Sequence, residues 1–244
     1  MKTKSPKVTL FVQCLVNGLS PEIGEAMVKI FRKLNLPVDC PVDQTCCGQP
    51  AFNSGYRKQA QAAAQRFIRI FENAEVIVCP SGSCVHMVRR YYPNLFVDAP
   101  RWRTRAEAVG AKTFELTQFL VDVLGVENLG ARFNGRLTMH DSCQALRGLD
   151  IREQPRRLIA QIAGAELVEM RDPDRCCGFG GSFAVKYPEI STAMVDDKVR
   201  TIMATDADVV TGVDLSCLTN IKGRLSRLKS TVRVMHIAEL LASG

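Results

Sequence analysis

The sequence predicts an α/β protein of two pseudo-symmetric, Rossmann-like halves, each a short parallel sheet flanked by helices. Three observations predict it. The cysteines recur at a nearly constant offset, the two halves repeat one order of strand and helix patterns, and strands alternating with helices imply parallel sheets. In order the cysteines are Cys14, Cys40, Cys46, Cys47, Cys79, Cys84, Cys143, Cys176, Cys177 and Cys217. Cys14 and Cys143 lie 129 positions apart, Cys46 and Cys176 130, Cys47 and Cys177 130, and Cys84 and Cys217 133. Both adjacent pairs are followed by glycine, as Cys46-Cys47-Gly48 and Cys176-Cys177-Gly178. A period this long does not suit a solenoid and does suit a duplicated domain. The expected boundary falls near 132–135, giving domains 1–133 and 134–244. Cys40 and Cys79 have no counterpart in the second half and read as packed or spare thiols, with Cys79 near enough to Cys84 to replace it as a ligand.

The elements follow in order. Lys7 to Gln13 is a run of β-formers that ends at Cys14. Ser20-Pro21 reads as an N-cap and first-turn proline for a helix to about Leu34. Ala60, Ala64, Phe67, Ile68 and Phe71 recur at helical spacing, so Tyr56 to Asn73 is expected to be a helix with one buried stripe. Val76 to Val78 is a short buried strand leading to Pro80-Ser81-Gly82-Ser83-Cys84. In the second half a strand at Arg136 to Met139 leads to His140-Asp141-Ser142-Cys143. A helix then carries Ile190, Met194, Val195, Val199 and Ile202, and a strand at Asp208 to Val210 leads to Asp214-Leu215-Ser216-Cys217. Each half is expected to close with an amphipathic helix, Glu115 to Leu124 and His236 to Leu241. Ligands of such sheets sit beyond the carboxyl ends of strands, beside helix N-termini. The first and last cysteines of each set should therefore share a rim, with the Cys-Cys-Gly turn brought in from a neighbouring loop.

Composition removes several classes. Of 244 residues 46% are hydrophobic and 23% charged, as in ordinary globular chains, which argues against disorder and coiled coil. No apolar run approaches the roughly 18 residues of a membrane span. The segment Met1 to Val12 lacks the apolar stretch and cleavage site of a signal peptide, so a cytoplasmic protein is expected. Net charge is +7, with arginine clusters at Arg101 to Arg105, Arg152 to Arg157 and Lys222 to Arg233. No nucleic-acid motif accompanies them. They read as a solvated surface, or as a dock for an acidic redox partner.

Ten cysteines without a secretory context point to metal or redox chemistry. One set per half supplies four sulfurs: Cys14, Cys46, Cys47 and Cys84, then Cys143, Cys176, Cys177 and Cys217. Thiolates favour iron–sulfur clusters, zinc or Cu(I). Structural zinc commonly uses two Cys-x2–4-Cys knuckles, whereas here two ligands are adjacent and the others distant. Adjacent cysteines diverge and so suit separate atoms of a polynuclear cluster. The following glycine lets backbone approach and donate N–H groups. Zinc in one half, dithiol redox and inert core cysteines stay open. Gly178-Phe179-Gly180-Gly181-Ser182 lacks the third glycine and the preceding strand of a dinucleotide loop and reads as a cluster-wrapping turn. His140 is either a tuning group or a structural histidine. Ser-His-Asp, P-loop and paired-carboxylate signatures are missing, so no catalytic residue is assigned.

The doubled Cys…Cys-Cys-Gly…Cys pattern resembles the CCG cysteine-rich domain. That domain occurs in heterodisulfide reductase B subunits and in iron–sulfur subunits of glycolate and anaerobic glycerol-3-phosphate oxidation. From about residue 7 to 241 the chain is similar to the lactate utilization protein A family. The matching stretches include Leu10-Phe11-Val12-Gln13-Cys14-Leu15-Val16, the run from Cys46 to Gly55, Pro80-Ser81-Gly82-Ser83-Cys84, the run from Cys176 to Phe183, and Val234-Met235-His236-Ile237-Ala238-Glu239. The resemblance implies a non-autonomous, electron-transferring subunit of a system oxidising L-lactate to pyruvate, with one [4Fe-4S]-type cluster per half. It implies two partners, a second iron–sulfur protein with ferredoxin-type motifs and a third lactate-utilization protein, through which membrane contact would be peripheral. A zinc-binding assembly subunit and heterodisulfide-type catalysis at a cluster are the alternatives. One departure matters. The heterodisulfide reductase pattern ends in Cys-x2-Cys, and here the first of those positions is Ser81 or Asp214, so four cysteines or an oxygen-ligated variant fit the count better.

Overall fold

The computed structural model describes residues 6–244; the leader reading of Met1 to Val12 falls partly on residues 1–5, outside the described residues. The first half runs β1 (Val8–Leu10), α1 (Cys14–Leu19), α2 (Glu22–Lys33), β2 (Val38–Asp39), α3 (Gln49–Asn53), α4 (Arg57–Phe71), β3 (Val76–Cys79) and α5 (Gly82–His86). A π-helical turn, Met87–Tyr91, then leads to α6 (Tyr92–Leu95), α7 (Pro100–Ala111), β4 (Thr113–Glu115) and α8 (Leu116–Gln118), which continues as a π-helical turn, Phe119–Val123. The second half runs β5 (Arg132–His140), α9 (Cys143–Leu149), α10 (Glu153–Ile159), β6 (Ala163–Leu167), α11 (Ser182–Lys186) and α12 (Pro188–Met203). It ends with β7 (Val209–Gly212), α13 (Leu215–Arg227), β8 (Arg233–His236) and α14 (Ile237–Leu241). The sheets have orders β2-β1-β3-β4 and β6-β5-β7-β8, the same topology twice, and every pairing is parallel. The α/β architecture of two pseudo-symmetric halves is therefore the one the sequence predicts.

The repeat extends to side chains. Ala60, Ala64, Phe67, Ile68 and Phe71 are the buried face of α4. Ser191, Val195, Lys198, Val199 and Ile202, each 131 positions later, are the buried face of α12. The expected stripe of α12 is thus corrected at Ile190, which is 55% exposed, and at Met194, which is half-buried. The buried set instead admits a serine and a lysine, which hydrophobic periodicity alone passes over. Ser20 does not cap α2. It closes α1, its N–H donating to Val16 O, and Pro21 stands ahead of Glu22 without a side-chain cap. β5 is longer than expected and begins at Arg132, so the segment 132–135 belongs to a strand.

The halves are tied by two reciprocal contacts. At the centre Ser81 and Asp214, equivalent residues, meet in an antiparallel bridge. There Gly82 N–H donates to Val213 O at 3.4 Å and Ser83 N–H to Asp214 Oδ2 at 2.8 Å. α5 lies against α9 so closely that a Cβ on Gly82 would sit 2.5 Å from Ala145 Cβ. Farther out, the closing helix of each half packs on the second helix of the other: α14 on α2, and α8 with its π turn on α10. Gln154 Nε2 donates to Asp122 Oδ2 at 2.8 Å across the latter contact. One apolar core accordingly runs through both halves, from Val8 and Ile23 to Leu240 and Leu241. A smaller one lies between α12, α13 and the second sheet.

The closing helices start at buried polar caps in equivalent places. Glu115 accepts from the backbone N–H groups of Thr117 (2.7 Å) and Gln118 (3.1 Å), and His236 Nδ1 accepts from Ala238 N–H at 3.1 Å. Burial pushes the Glu115 carboxyl up to about 7, against the pull of its Thr117 and Gln118 donors, and pushes His236 down to about 4. Of the first arginine cluster, Arg105 pairs with Glu72 and lies over Trp102, and Arg103 pairs with Glu107, so two of its three arginines are locally neutralised. No helix among the described residues is long and apolar enough to cross a membrane.

Three outcomes are expected. Gly82→Val should lower the denaturant midpoint by the equivalent of about 1–3 kcal/mol through overpacking at Ala145. Gly223→Ala, on a helix position with open space, should raise it by up to about 1 kcal/mol. For Glu115 the native state holds a proton that the unfolded carboxyl has released, so stability is lost as pH rises from about 4.5 to about 7. Glu115→Gln should abolish that slope, the gap to wild type growing by roughly 3 kcal/mol across the window and levelling off above it. Urea titrations at stepped pH measure all three.

Candidate metal centre

In each half three segments deliver four thiols to the carboxyl end of the sheet. Cys14 is the first residue of α1, behind Gln13, whose Oε1 accepts from Leu15 N–H at 2.8 Å. Cys143 is likewise the first residue of α9, behind Ser142, which makes no side-chain cap, and Cys84 and Cys217 sit in the first turns of α5 and α13. The Cys-Cys-Gly triplets enter from the loops before α3 and α11. Their conformations match: Gly48 N–H donates to Cys46 Sγ and Gly178 N–H to Cys176 Sγ, both at 3.4 Å. The glycines have φ of +84° and +77°, and each presses on the long helix of its half. A Cβ on Gly48 would stand 3.0 Å from Ala63 Cβ, and one on Gly178 2.6 Å from Ser191 O. Close approach and left-handed backbone together require glycine here.

The sets are graded in depth. Cys14 is exposed, Cys46, Cys143 and Cys176 are half-buried, and Cys47, Cys84, Cys177 and Cys217 are buried. Cys47 Sγ lies 3.5 Å from Cys84 Sγ. A thiol hydrogen bond from Cys14 is the main cause that pulls Cys46 down to about 3, and one from Cys47 pulls Cys84 to about 5. The corresponding donors Cys143 and Cys177 lower Cys176 to about 2 and Cys217 to about 6. Two sulfurs of each quartet are thereby favoured as thiolates, the state that ligates metal, while the donors Cys14, Cys47, Cys143 and Cys177 are pushed up by giving those hydrogen bonds and by burial. All ten cysteines are free thiols. Cys40 is exposed and lines a separate surface cleft with Cys14, and Cys79 is buried, its thiol donating to Cys84.

Both quartets open on one cavity of about 420 Å³ between the halves. The Gly180, Gly181 and Ser182 turn lines it as well. Ser81 and Asp214, which stand where the heterodisulfide reductase pattern has a further cysteine, also face it, but their oxygens cap helices. Ser81 Oγ accepts from Cys84 N–H at 3.3 Å, and Asp214 accepts from Ser216 N–H at 3.3 Å and Ser83 N–H at 2.8 Å.

Several supporting side chains escaped sequence reasoning. The carbonyl of the second cysteine in each triplet is clamped, Cys47 O by Tyr92 OH and Cys177 O by Asn220 Nδ2, both at 2.8 Å. Asn220 stands one helical turn from Cys217, a spacing that would have placed it on the same face. Lys198, fully buried, donates to Asp172 O (2.8 Å) and Pro173 O (3.1 Å) and holds the loop that leads to Cys176. Arg156 grips Asp141 with both terminal nitrogens, at 2.9 and 3.1 Å, beside His140.

A duplicated parallel α/β fold with a thiol quartet at the carboxyl edge of each sheet defines a class of cysteine-rich proteins whose clustered thiols suggest metal binding. The family model for the CCG cysteine-rich domain matches twice, over residues 8–89 and 137–222. The chain is 50% identical to "Lactate utilization protein A" of Exiguobacterium over 98% of both chains. It is 48% identical to that of Geobacillus kaustophilus (96% of this chain, 98% of the relative) and 47% identical to that of Bacillus subtilis (97% and 99%). The chain belongs to the lactate utilization protein A family.

The triplet glycines supply a graded test. An L-residue at left-handed φ costs about 1–2 kcal/mol. Gly48→Ala is expected near that figure. Gly178→Ala is expected to exceed it, because its methyl meets a helix carbonyl rather than another methyl. Thermal midpoints of the two variants, compared side by side, give the order.

Proposed function

We propose that this protein serves lactate utilization as an iron–sulfur electron carrier, with one cluster in each half, inside a complex that oxidises L-lactate to pyruvate. The observation that carries the reading is the convergence of two equivalent thiol quartets on one cavity. Cys14, Cys46, Cys47 and Cys84 would hold the first cluster, and Cys143, Cys176, Cys177 and Cys217 the second. The donor set fits: it is all soft sulfur, brought together without disulfides, with two sulfurs per half already inclined to ionise. Each cluster, when bound, would take up and pass on single electrons. The chain's own groups position and shield it. The half-turns at Gly48 and Gly178 fix the first sulfur of each pair, Tyr92 and Asn220 hold the peptide after the second, and burial of Cys47, Cys84, Cys177 and Cys217 keeps water from the inner side.

The name shared by the relatives suggests further lactate-utilization proteins as partners, which we identify with a second iron–sulfur protein bearing ferredoxin-type motifs and a third subunit. The exposed Cys14, beside the half-buried Cys46, marks the side on which electrons would enter or leave. The division 1–133 and 134–244 then corresponds to one cluster per domain, although the closing helices are shared. A second reading, zinc in the second half, is favoured by one observation: ligand atoms of His140, Cys177 and Cys217 lie within 4.8 Å of one another, a mixed set that suits a single ion.

Iron, zinc and acid-labile sulfide measured on anaerobically purified protein test the proposal. About eight irons with matching sulfide are expected for two cubane-sized clusters. Cys47→Ser and Cys177→Ser should each remove roughly half of the iron and stop lactate-dependent electron flux while leaving subunit assembly intact. Protein that carries only zinc, with assembly lost in both variants, would replace the carrier by an assembly subunit.

A further inference from the structure

Duplication makes the two centres comparable residue by residue, and one corner differs. Three residues before Cys14 stands Phe11; three before Cys143 stands His140. Five residues before Cys84 stands Cys79; five before Cys217 stands Gly212. The corner beneath the innermost sulfur is thus furnished from opposite strands. In the first half β3 brings the Cys79 thiol against Cys84, while Phe11 points into the core and packs on Phe67 and Phe71 at ring distances of 4.8 and 5.6 Å. In the second half His140, at the end of β5, pairs with Gly212 of β7, which brings no thiol to the corner.

His140 is 1% exposed, and neither of its ring nitrogens has a hydrogen-bond partner. A buried donor or acceptor without a partner costs about 1–3 kcal/mol, and native structures rarely leave one so. Each of the other histidines has at least one partner: His86 bonds Gln144, and His236 caps α14 through Nδ1, its Nε2 alone being left without one. The orphan ring instead has Cys177 and Cys217 within 4.8 Å of its ligand atom. Bonds of about 2.0 Å from metal to nitrogen and about 2.3 Å to sulfur set neighbouring ligands roughly 3.5 Å apart, so a modest contraction closes the set. The carboxylate of the adjoining Asp141, gripped by Arg156, anchors the peptide that carries the ring.

We propose that His140 is a metal ligand, so that the second centre is bound by nitrogen as well as sulfur and the first by sulfur alone. This inference rests on the reading that the quartets hold metal. The two sites are then unequal by construction. Imidazole is neutral where thiolate is anionic, so the centre it joins carries one negative charge fewer than the same site bound through sulfur at that corner.

X-ray absorption at the edge of the metal carried by the anaerobically purified full-length protein tests it. The wild type should show the outer-shell scattering of one coordinated imidazole. His140→Phe, which copies the first half, should lose that scattering and surrender metal from one centre to a chelator roughly tenfold faster or more. His140→Cys guards against misfolding: it should keep full metal content and show sulfur scattering only. Metal-loaded wild type without imidazole scattering, or scattering that persists in both variants, would overturn the assignment while leaving the metal reading intact. Wild type that binds no metal would overturn both.

Discussion

The meeting of Ser81 with Asp214 is the constraint on which the rest of the molecule depends. Equivalent residues contact each other only at a twofold axis, so this bridge fixes the relation of the two sheets. Because Ser81 and Asp214 also cap the helices that carry Cys84 and Cys217, the axis places those deep sulfurs on either side of one wall. The shared cavity, the approach of Gly82 to Ala145 and the exchange of closing helices all follow from it. The arrangement resembles an isologous dimer interface, made here within a single chain.

Parallel strand order explains why the sulfurs gather at all. A parallel strand must be followed by a crossover, so consecutive strands deliver their loops to the same edge. Cysteines spread over some seventy positions in each half thereby gather around one cavity. The triplet loop is then pinned from behind. A glycine fits against the long helix, and a side chain from the next crossover holds the second cysteine's carbonyl. The same task is done by a tyrosine hydroxyl in one half and an asparagine amide in the other, which shows that the position of the carbonyl matters and the donor's identity does not.

Duplication, parallel α/β architecture and the gathering of eight cysteines beside the strand ends were legible because they depend on local pattern and on spacing along the chain. The buried stripe of α4 was legible for the same reason: all five positions are hydrophobic. Its partner stripe was blurred because Lys198 and Ser191 are buried through specific hydrogen bonds to loop carbonyls, which periodicity does not register. Ser20 carried the residue type of a helix cap but is engaged in ending the preceding helix. The crossing of α8 and α14 between halves is a relation between distant segments, and no local signal announces it. His140 could be noticed from sequence, being next to the site, but its lack of partners is a property of the folded environment.

The exchange of closing helices bears on descent. A lone ancestral half with this topology would have left the apolar side of its last helix, and the groove on its second helix, facing water. Two identical copies could cover both by trading those helices. Such a pair would have had interchangeable centres, locked to one another by symmetry. Fusing the two copies into one chain released that lock: a phenylalanine and a histidine, or a cysteine and a glycine, can occupy matching places only when each half is encoded separately. The joined gene could then let one pocket diverge while its sister stayed as it was.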